Sequence, residues 1–327
     1  MNRIDLHEEF LKALNKKGTS RRSELVNIVS DTLRIERESA SRRLSGKVQF
    51  SAREVGILAR RLDISLDSLM QTDDDYLWFP LRLQPPLSIP SLDVLCDKID
   101  SNIEQMEEIV KEPAESGSVF NSLPIEFYMH HPTLMRFMIF KWGYYFVGTE
   151  EYDHFSTFQL PKRLVNIKDR IDNVFAHVEN SFYIWDDSLI VILVKEIENF
   201  HRMHIINDEE KEVIRLELKA LMNNLEQYIK HNFHPRVSSS EVSFYASTMN
   251  IGLTCTYFLS KTMGRSSIQT AFISSGYEYD YNHCIRIKEW MHSLRNISIL
   301  LSESGHIERR IFFDKQQNIV DSLSGKA

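Results

Sequence analysis

The amino-acid sequence predicts a mainly α protein, with a small N-terminal helical bundle followed by a larger, mostly helical α+β domain. Three observations favour this fold class. Apolar residues recur at intervals of three and four over most of the chain, which is the spacing of amphipathic helices. After Pro235 the composition shifts to Ser, Thr, Val, Ile and aromatic residues with partial alternation, so a few strands are expected near residues 240–280. The net charge also changes sign along the chain, which separates the two predicted domains.

Three helices at the start of the chain follow from this spacing. The first is predicted from Ile4 to Lys16, the second from Arg22 to Leu33 and the third from Arg37 to Leu44. The connector Arg34-Ile35-Glu36 has the length that joins two helices at a steep angle. Gly46 is expected to end the third helix, because glycine adopts the positive φ of a helix C-terminus without a Cβ clash. The pattern is typical of a helix-turn-helix.

The outer face of the third helix is basic and polar once the inner residues Ala40 and Leu44 are set aside. An α-helix fits the major groove of DNA, where arginine forks onto guanine, serine bonds several base edges and glutamate accepts from cytosine. The arginines of this helix and Ser39 are expected to contact bases, and Lys47 and the arginines before the second helix to contact phosphates. The alternative is a solvated basic face of an ordinary bundle. The predicted DNA-binding residues are Arg21, Arg22, Arg37, Glu38, Ser39, Ser41, Arg42, Arg43 and Lys47.

Two segments of this region carry a family resemblance. They read Ser41-Arg42-Arg43-Leu44-Ser45-Gly46-Lys47 and Leu62-Asp63-Ile64-Ser65-Leu66-Asp67-Ser68-Leu69. Both are similar to the phage repressor and Cro-like helix-turn-helix family, over about the first 70 of 327 residues. The resemblance implies a lambda-repressor-like bundle of about five helices, with Arg37–Leu44 as the recognition helix and Ser51–Leu62 supporting it. Arg34 stands where such proteins usually carry a glycine.

Charge divides the chain into parts with different expected partners. The whole chain has a net charge of −7, yet residues 1–70 contain 14 Lys+Arg and 10 Asp+Glu, or +4. The remainder therefore contains 25 Lys+Arg and 36 Asp+Glu, or −11. We predict a DNA-binding domain over residues 1–70, a Pro-rich connector over 71–90 and an effector or dimerisation domain over 91–327.

The larger domain is predicted to begin with helices. Leu92, Leu95, Ile99, Met106 and Ile109 recur at helical spacing over 91–111, with Asn102 at the missing seam position, so this helix could pair in a short dimeric coiled coil or lie in a core. Two helices over 123–147 carry a dense aromatic stripe that could line a ligand pocket or form a core. Further helices are predicted over 161–178, 188–204 and 208–230.

The last third of the chain mixes strands and helices. Residues 240–259 and 266–279 predict two or three strands. A helix is expected from Tyr281, turning to a strand at 297–301. A final helix after Gly305 has Ile307, Ile311, Phe312 and Ile319 as its apolar residues. The segment Pro113–Ser118 is predicted to be a break between helices.

Motifs of known chemistry are missing from the sequence, and we therefore expect neither an enzyme nor a cofactor or metal site. There is no Gly-rich phosphate loop, Gly-x-Ser-x-Gly turn or His-Glu-x-x-His motif. His201 and His204 could offer two imidazoles to a metal but are more simply surface histidines at a helix end. The pair Asp186-Asp187 is expected to cap a helix rather than act as an acid and base.

Cysteine usage and hydropathy predict a cytoplasmic protein without a membrane segment. Cys96, Cys255 and Cys284 lie far apart, which indicates reduced thiols. The first residues lack the apolar core of a signal peptide. The longest purely apolar run, Leu189 to Val194, is far shorter than the ~20 residues of a membrane helix.

These observations lead to one main hypothesis and two alternatives. The main hypothesis is a transcriptional regulator that reads double-stranded DNA as a homodimer and responds, through residues 91–327, to a small-molecule or protein effector. The first alternative is a protein-interaction module whose N-terminal bundle is accessory and binds DNA weakly. An enzyme fused to a DNA reader ranks third.

Overall fold

The chain forms two compact units, Met1–Leu81 and Arg82–Ala327, which we call unit 1 and unit 2. The predicted connector, residues 71–90, includes the boundary between them. No helix in the described ranges has both the length and the apolar character needed to cross a bilayer. The computed structural model describes residues 5–17, 22–62, 64, 66–69, 86–231, 241–270, 273–277, 281–303 and 305–324.

The described part of unit 1 is entirely helical outside its turns. Its apolar residues face one another and form a core of their own, in which the rings of Phe10 and Phe50 meet edge to face at 5.9 Å. Val29, Ala40 and Leu58 contribute to this core from three different helices. The helices are α1 (Leu6–Lys17), α2 (Arg22–Leu33), α3 (Arg37–Leu44), α4 (Ala52–Leu62) and α5 (Leu66–Leu69).

The turn between α2 and α3 is closed by Ser30. The Ser30 hydroxyl donates to the carbonyl of Ile35 at 2.6 Å, and the Ile35 N–H donates to the carbonyl of Ser30 at 3.1 Å. Arg34, between them, adopts a φ of 54°. This left-handed conformation is unfavourable for a residue with a Cβ. Arg34 occupies the position at which the family that the sequence resembles usually carries glycine.

The described residues of unit 2 build a seven-stranded mixed sheet in the order β6-β5-β4-β1-β2-β3-β7. The central strands β1, β2 and β3 run parallel, and the outer strands join them antiparallel. The strands are β1 (Ala114–Phe120), β2 (Val178–Trp185), β3 (Glu241–Ala246), β4 (Thr254–Leu259), β5 (Gly264–Thr270), β6 (Ile273–Tyr277) and β7 (Ile299–Leu300).

Helices enclose this sheet on both faces. Side chains alternate between the faces of a strand, so Tyr183 and Phe182 of β2 point in opposite directions. Tyr183 lies on the face that contacts Phe127, and Phe182 contacts His292 on the other face. The helices of unit 2 are α6 (Leu92–Ile109), α7 (Ile125–Tyr128), α8 (Pro132–Phe146), α9 (Lys162–Val165), α10 (Ile167–Ala176), α11 (Val191–Arg202), α12 (Asp208–His231), α13 (Tyr281–Asn296) and α14 (His306–Asp321).

The predicted elements of unit 2 are confirmed in part. Four strands, β3 to β6, lie near residues 240–280, where the sequence predicts two or three, and β7 lies at the predicted change from helix to strand. The prediction of a break at Pro113–Ser118 is wrong, because Ala114–Phe120 is the strand β1. Strand β2 is also missing from the prediction. The chain is therefore mainly helical, as expected, but its larger unit is organised around a bigger sheet.

Helix α6 is a core helix of unit 2. Its residues Leu95, Cys96 and Ile103 are buried. Asn102, the residue that a coiled coil would place in its seam, instead binds the buried Arg265 of β5. The guanidinium donates to the Asn102 carbonyl at 2.9 Å and to its side-chain oxygen at 2.5 Å. The sequence left open whether this helix pairs in a coiled coil or lies in a core, and α6 lies in the core.

The aromatic stripe of α8 is a packed core. Phe137 and Phe140 are fully buried, and their rings contact Phe200 of α11 at centroid distances of 5.6 and 5.9 Å. A small cavity beside Trp142 has no room for a water molecule. The stripe therefore fills the interior of unit 2, and this cavity is too small to be a ligand pocket.

Candidate nucleic-acid interface

Helix α3 has one buried face and one exposed face. Ala40 and Leu44 are buried in the core of unit 1. Arg37, Glu38 and Arg42 are exposed. Glu38 and Arg42 are four residues apart and are therefore neighbours on the side away from Ala40 and Leu44, and Arg37 is the first residue of the helix. Ser41 is half-buried at the edge of this surface. We call Arg37, Glu38, Ser41 and Arg42 the α3 surface.

Arg43 lies outside the α3 surface. One guanidinium nitrogen is 3.1 Å from the Glu54 carboxylate of α4, and both side chains are 19% exposed. Another donates to the hydroxyl of Ser39 at 2.7 Å. Arg43 therefore connects α3 to α4, and Ser39 holds the Arg43 side chain within α3, although the sequence had grouped both with the base-contacting residues.

Glu54 is held in turn by the start of α4. Its carboxylate accepts from the Ser51 N–H at 2.8 Å, and the Ser51 hydroxyl accepts from the Glu54 N–H at 3.3 Å. This reciprocal pair is a capping box. Burial opposes ionisation of Glu54, but the N–H and hydroxyl of Ser51 together with Arg43 hold the pKa of this carboxyl below its usual value. An ionised Glu54 keeps Arg43, and with it α3, in place.

The residues at the two ends of the interface are accessible where the structure describes them. Gly46 follows the end of α3 with a φ of 73°, as predicted, and the N–H of Lys47 donates to the Arg42 carbonyl at 3.0 Å. The side chain of Lys47 is exposed, as is that of Arg22 at the start of α2. Arg21 lies outside the described residues.

The predicted cap and histidines of unit 2 have structural partners. The Asp186 carboxylate accepts from the Ser188 N–H at 2.8 Å and from the Ile251 N–H at 2.7 Å, so it holds the turn before α11. His201 contacts Asp208 at 2.8 Å. These partners give Asp186 and His201 clear structural roles.

A surface groove of about 730 Å³ lies between α11 and α14 of unit 2. Its apolar lining includes Val191, Val194 and Ile319, and Lys195 and Asp314 stand at its polar positions. Residues Ile307 and Ile311, which the sequence presents only as apolar helix positions, are 58% and 64% exposed. Their exposure was not predictable, because α14 buries a different set of residues.

No protein-family model, curated protein or solved structure matches the chain.

Proposed function

We propose that the protein is a DNA-binding transcriptional regulator that inserts α3 into the major groove of an operator. The observation that carries this proposal is the α3 surface, where Arg37 and Arg42 are exposed on a helix whose opposite face is fixed in a core. Arginines so placed can fork onto guanine edges. The net charge of +4 over residues 1–70 supports the same partner, because phosphate binding releases counterions from the duplex.

The proposal includes a homodimer. Helix α3 has only eight residues, so one copy reaches a few base pairs, and two half-sites give the specificity that a regulator needs. A two-fold dimer requires a surface that is complementary to itself. The groove of unit 2 supports such a contact, since the exposed Ile311, other apolar residues, a lysine and an aspartate all line it.

The open shape of this groove supports a polypeptide occupant rather than an enclosed small molecule. Small-molecule sites usually bury most of the ligand surface. If the protein responds to an effector, the groove is better suited to a protein than to a compact metabolite. The same observation supports a second candidate function, in which unit 2 is a protein-interaction module and unit 1 binds DNA only weakly.

The test begins with selection of bound duplexes from a randomised DNA library by the full-length protein. We expect an enriched motif with two half-sites centred about 10 base pairs apart. Fluorescence anisotropy on that motif should then show a loss of affinity of roughly tenfold for Arg42→Ala. The matched control is Arg60→Ala, which removes an exposed arginine from the last turn of α4. This variant should change the affinity less than about twofold.

The outcomes separate the two candidate functions. An enriched motif with steep salt dependence supports the regulator. Equal weak binding to every duplex would contradict it and favour the interaction module. Equal losses for the two arginine variants would show that only overall charge matters, and would contradict the docking of α3.

A further inference from the structure

Glu38 is an acidic residue on the α3 surface, which in the proposed function approaches the negatively charged DNA. It is exposed in the first turn of α3, between the exposed arginines of the α3 surface. The ion pairs within the described residues of unit 1 join Lys12 to Glu9 and Arg43 to Glu54, and neither involves Glu38. A carboxylate held against DNA is repelled by phosphates unless a base supplies a donor.

Only certain base edges can supply that donor. In the major groove cytosine presents its N4 amino group, whereas guanine presents the acceptors O6 and N7 and thymine presents O4. Adenine has an amino group next to the N7 acceptor, which a carboxylate cannot use and an amide can. A glutamate in the groove therefore favours cytosine, and a glutamine at the same place favours adenine.

We propose that Glu38 is a specificity-determining residue that reads a cytosine in each operator half-site; this inference rests on the proposed function. Arg42 lies one helical turn further along the same face, about 6 Å along the helix axis. Its guanidinium is free of the contacts that hold Arg43, so it reads a guanine within one or two base pairs of that cytosine. Arg43 is a positioning residue.

The experiment repeats the library selection with three full-length proteins: the natural chain, Glu38→Gln and Glu38→Ala. The natural chain should enrich a motif with cytosine at one position of each half-site. Glu38→Gln should replace that cytosine with adenine, and Glu38→Ala should accept any base there while the rest of the motif persists. In anisotropy, changing the cytosine to thymine should weaken the natural chain roughly tenfold and Glu38→Ala less than about twofold.

Glu24→Gln is the matched control. It removes an exposed acid from the first turn of the neighbouring helix α2, so it changes the net charge equally and should leave the motif intact. Circular dichroism on every variant checks that unit 1 remains helical, which the exposed position of Glu38 leads us to expect.

The result that overturns the inference is a motif that Glu38→Gln leaves unchanged while binding to all duplexes tightens by one common factor. That result would make Glu38 an ordinary solvated acid. A selection that enriches no motif, even with the natural chain, would instead overturn the proposed function and this inference with it. The two failures are therefore distinguishable.

Discussion

Single residues hold the α3 surface in position. The ion pair between Arg43 and Glu54 is partly buried, and hydrogen bonds from Ser51 and to Ser39 fix both of its ends. An isolated surface pair contributes about 0–1 kcal/mol, but a pair held by further hydrogen bonds keeps its geometry without ordering two free side chains. The orientation of α3 relative to α4 thus depends on side chains that do not lie on the α3 surface.

Arg34→Gly should stabilise the α2–α3 turn. A left-handed φ costs a residue with a Cβ about 1–2 kcal/mol, and glycine avoids this cost. Glycine in turn costs about 0.5–1 kcal/mol, because its unfolded chain has more conformational entropy to lose on folding. We expect hydrogen exchange of the amides in α2 and α3 to slow by up to about fivefold, or 1 kcal/mol. Arg42→Gly, inside α3, should instead speed exchange in the same helices. Faster exchange in Arg34→Gly would contradict the strain.

Glu126 carries a buried carboxyl beneath the sheet of unit 2. It is 7% exposed and lies near the hydroxyl of Tyr183. Burial raises its pKa to about 7, and its own N–H and the Tyr183 hydroxyl only partly oppose this rise. Because the folded-state pKa exceeds the ordinary value of 4.5, the folded chain binds this proton more tightly than the unfolded chain.

The pKa of Glu126 predicts how stability depends on pH. The tighter proton binding of Glu126 in the folded chain adds to the free energy of unfolding. This addition is fully present below pH 4.5 and is lost as the pH rises from there to about 7, in total on the order of 3 kcal/mol. The Glu126→Gln variant cannot lose stability in this way. The free energy of unfolding of the variant, minus that of the natural chain, should therefore rise over that pH range and then level off. Denaturant unfolding followed by tryptophan fluorescence at pH 4.5 and 8 measures the change. Glu179→Gln, an exposed position on β2, is the control; a difference independent of pH for Glu126→Gln would contradict the burial effect.

At the scale of elements, strand β1 shows what a sequence pattern cannot reveal. Its segment Ala114–Phe120 contains Glu, Ser and Gly and lacks the alternation of a strand. It is central because it pairs with β2 and β4, and the rings of Phe182 and Tyr257 lie over Gly117, where an added Cβ would come within 2.6 and 2.4 Å of them. Those rings belong to β2 and β4, so the cause of the strand lies far away in sequence. Strands β3 and β4, rich in β-branched and aromatic residues, could be predicted locally.

The same limit applies to the candidate interface and to α14. Helical spacing alone predicts that Ala40 and Leu44 are buried and that the remaining residues of α3 are candidates for contact with DNA. It could not separate Arg43 from Arg42, because the partner Glu54 lies on the next helix. On α14, Arg309 is buried and donates to the Leu301 carbonyl at 2.7 Å, whereas Ile311 is exposed. Which α14 residues are buried depends on the neighbouring elements and not on helical spacing alone.

For the whole molecule, the proposed homodimer connects the groove of unit 2 to the reading of DNA by unit 1. A two-fold contact would place Ile311 of one copy in the apolar channel of the other and bring Lys195 opposite Asp314. Opposite charges in one groove are what a two-fold contact of this kind would need. In the proposed dimer, each copy would contribute one α3 helix to one half-site.

Ile311→Asp should convert the dimer into a monomer, because it places a charge in the apolar channel of the partner copy. Analytical ultracentrifugation at micromolar concentration should give twice the chain mass of 38.4 kDa for the natural protein and the single mass for the variant. Leu216→Asp, at a 51% exposed apolar position on α12, is the control and should remain dimeric. Ile311→Asp should lose at least about tenfold in affinity for a duplex with two half-sites, and it should bind a single half-site as tightly as the natural chain does. A natural chain that sediments as a monomer, or an Ile311→Asp variant that stays dimeric, would remove the groove as the dimer contact.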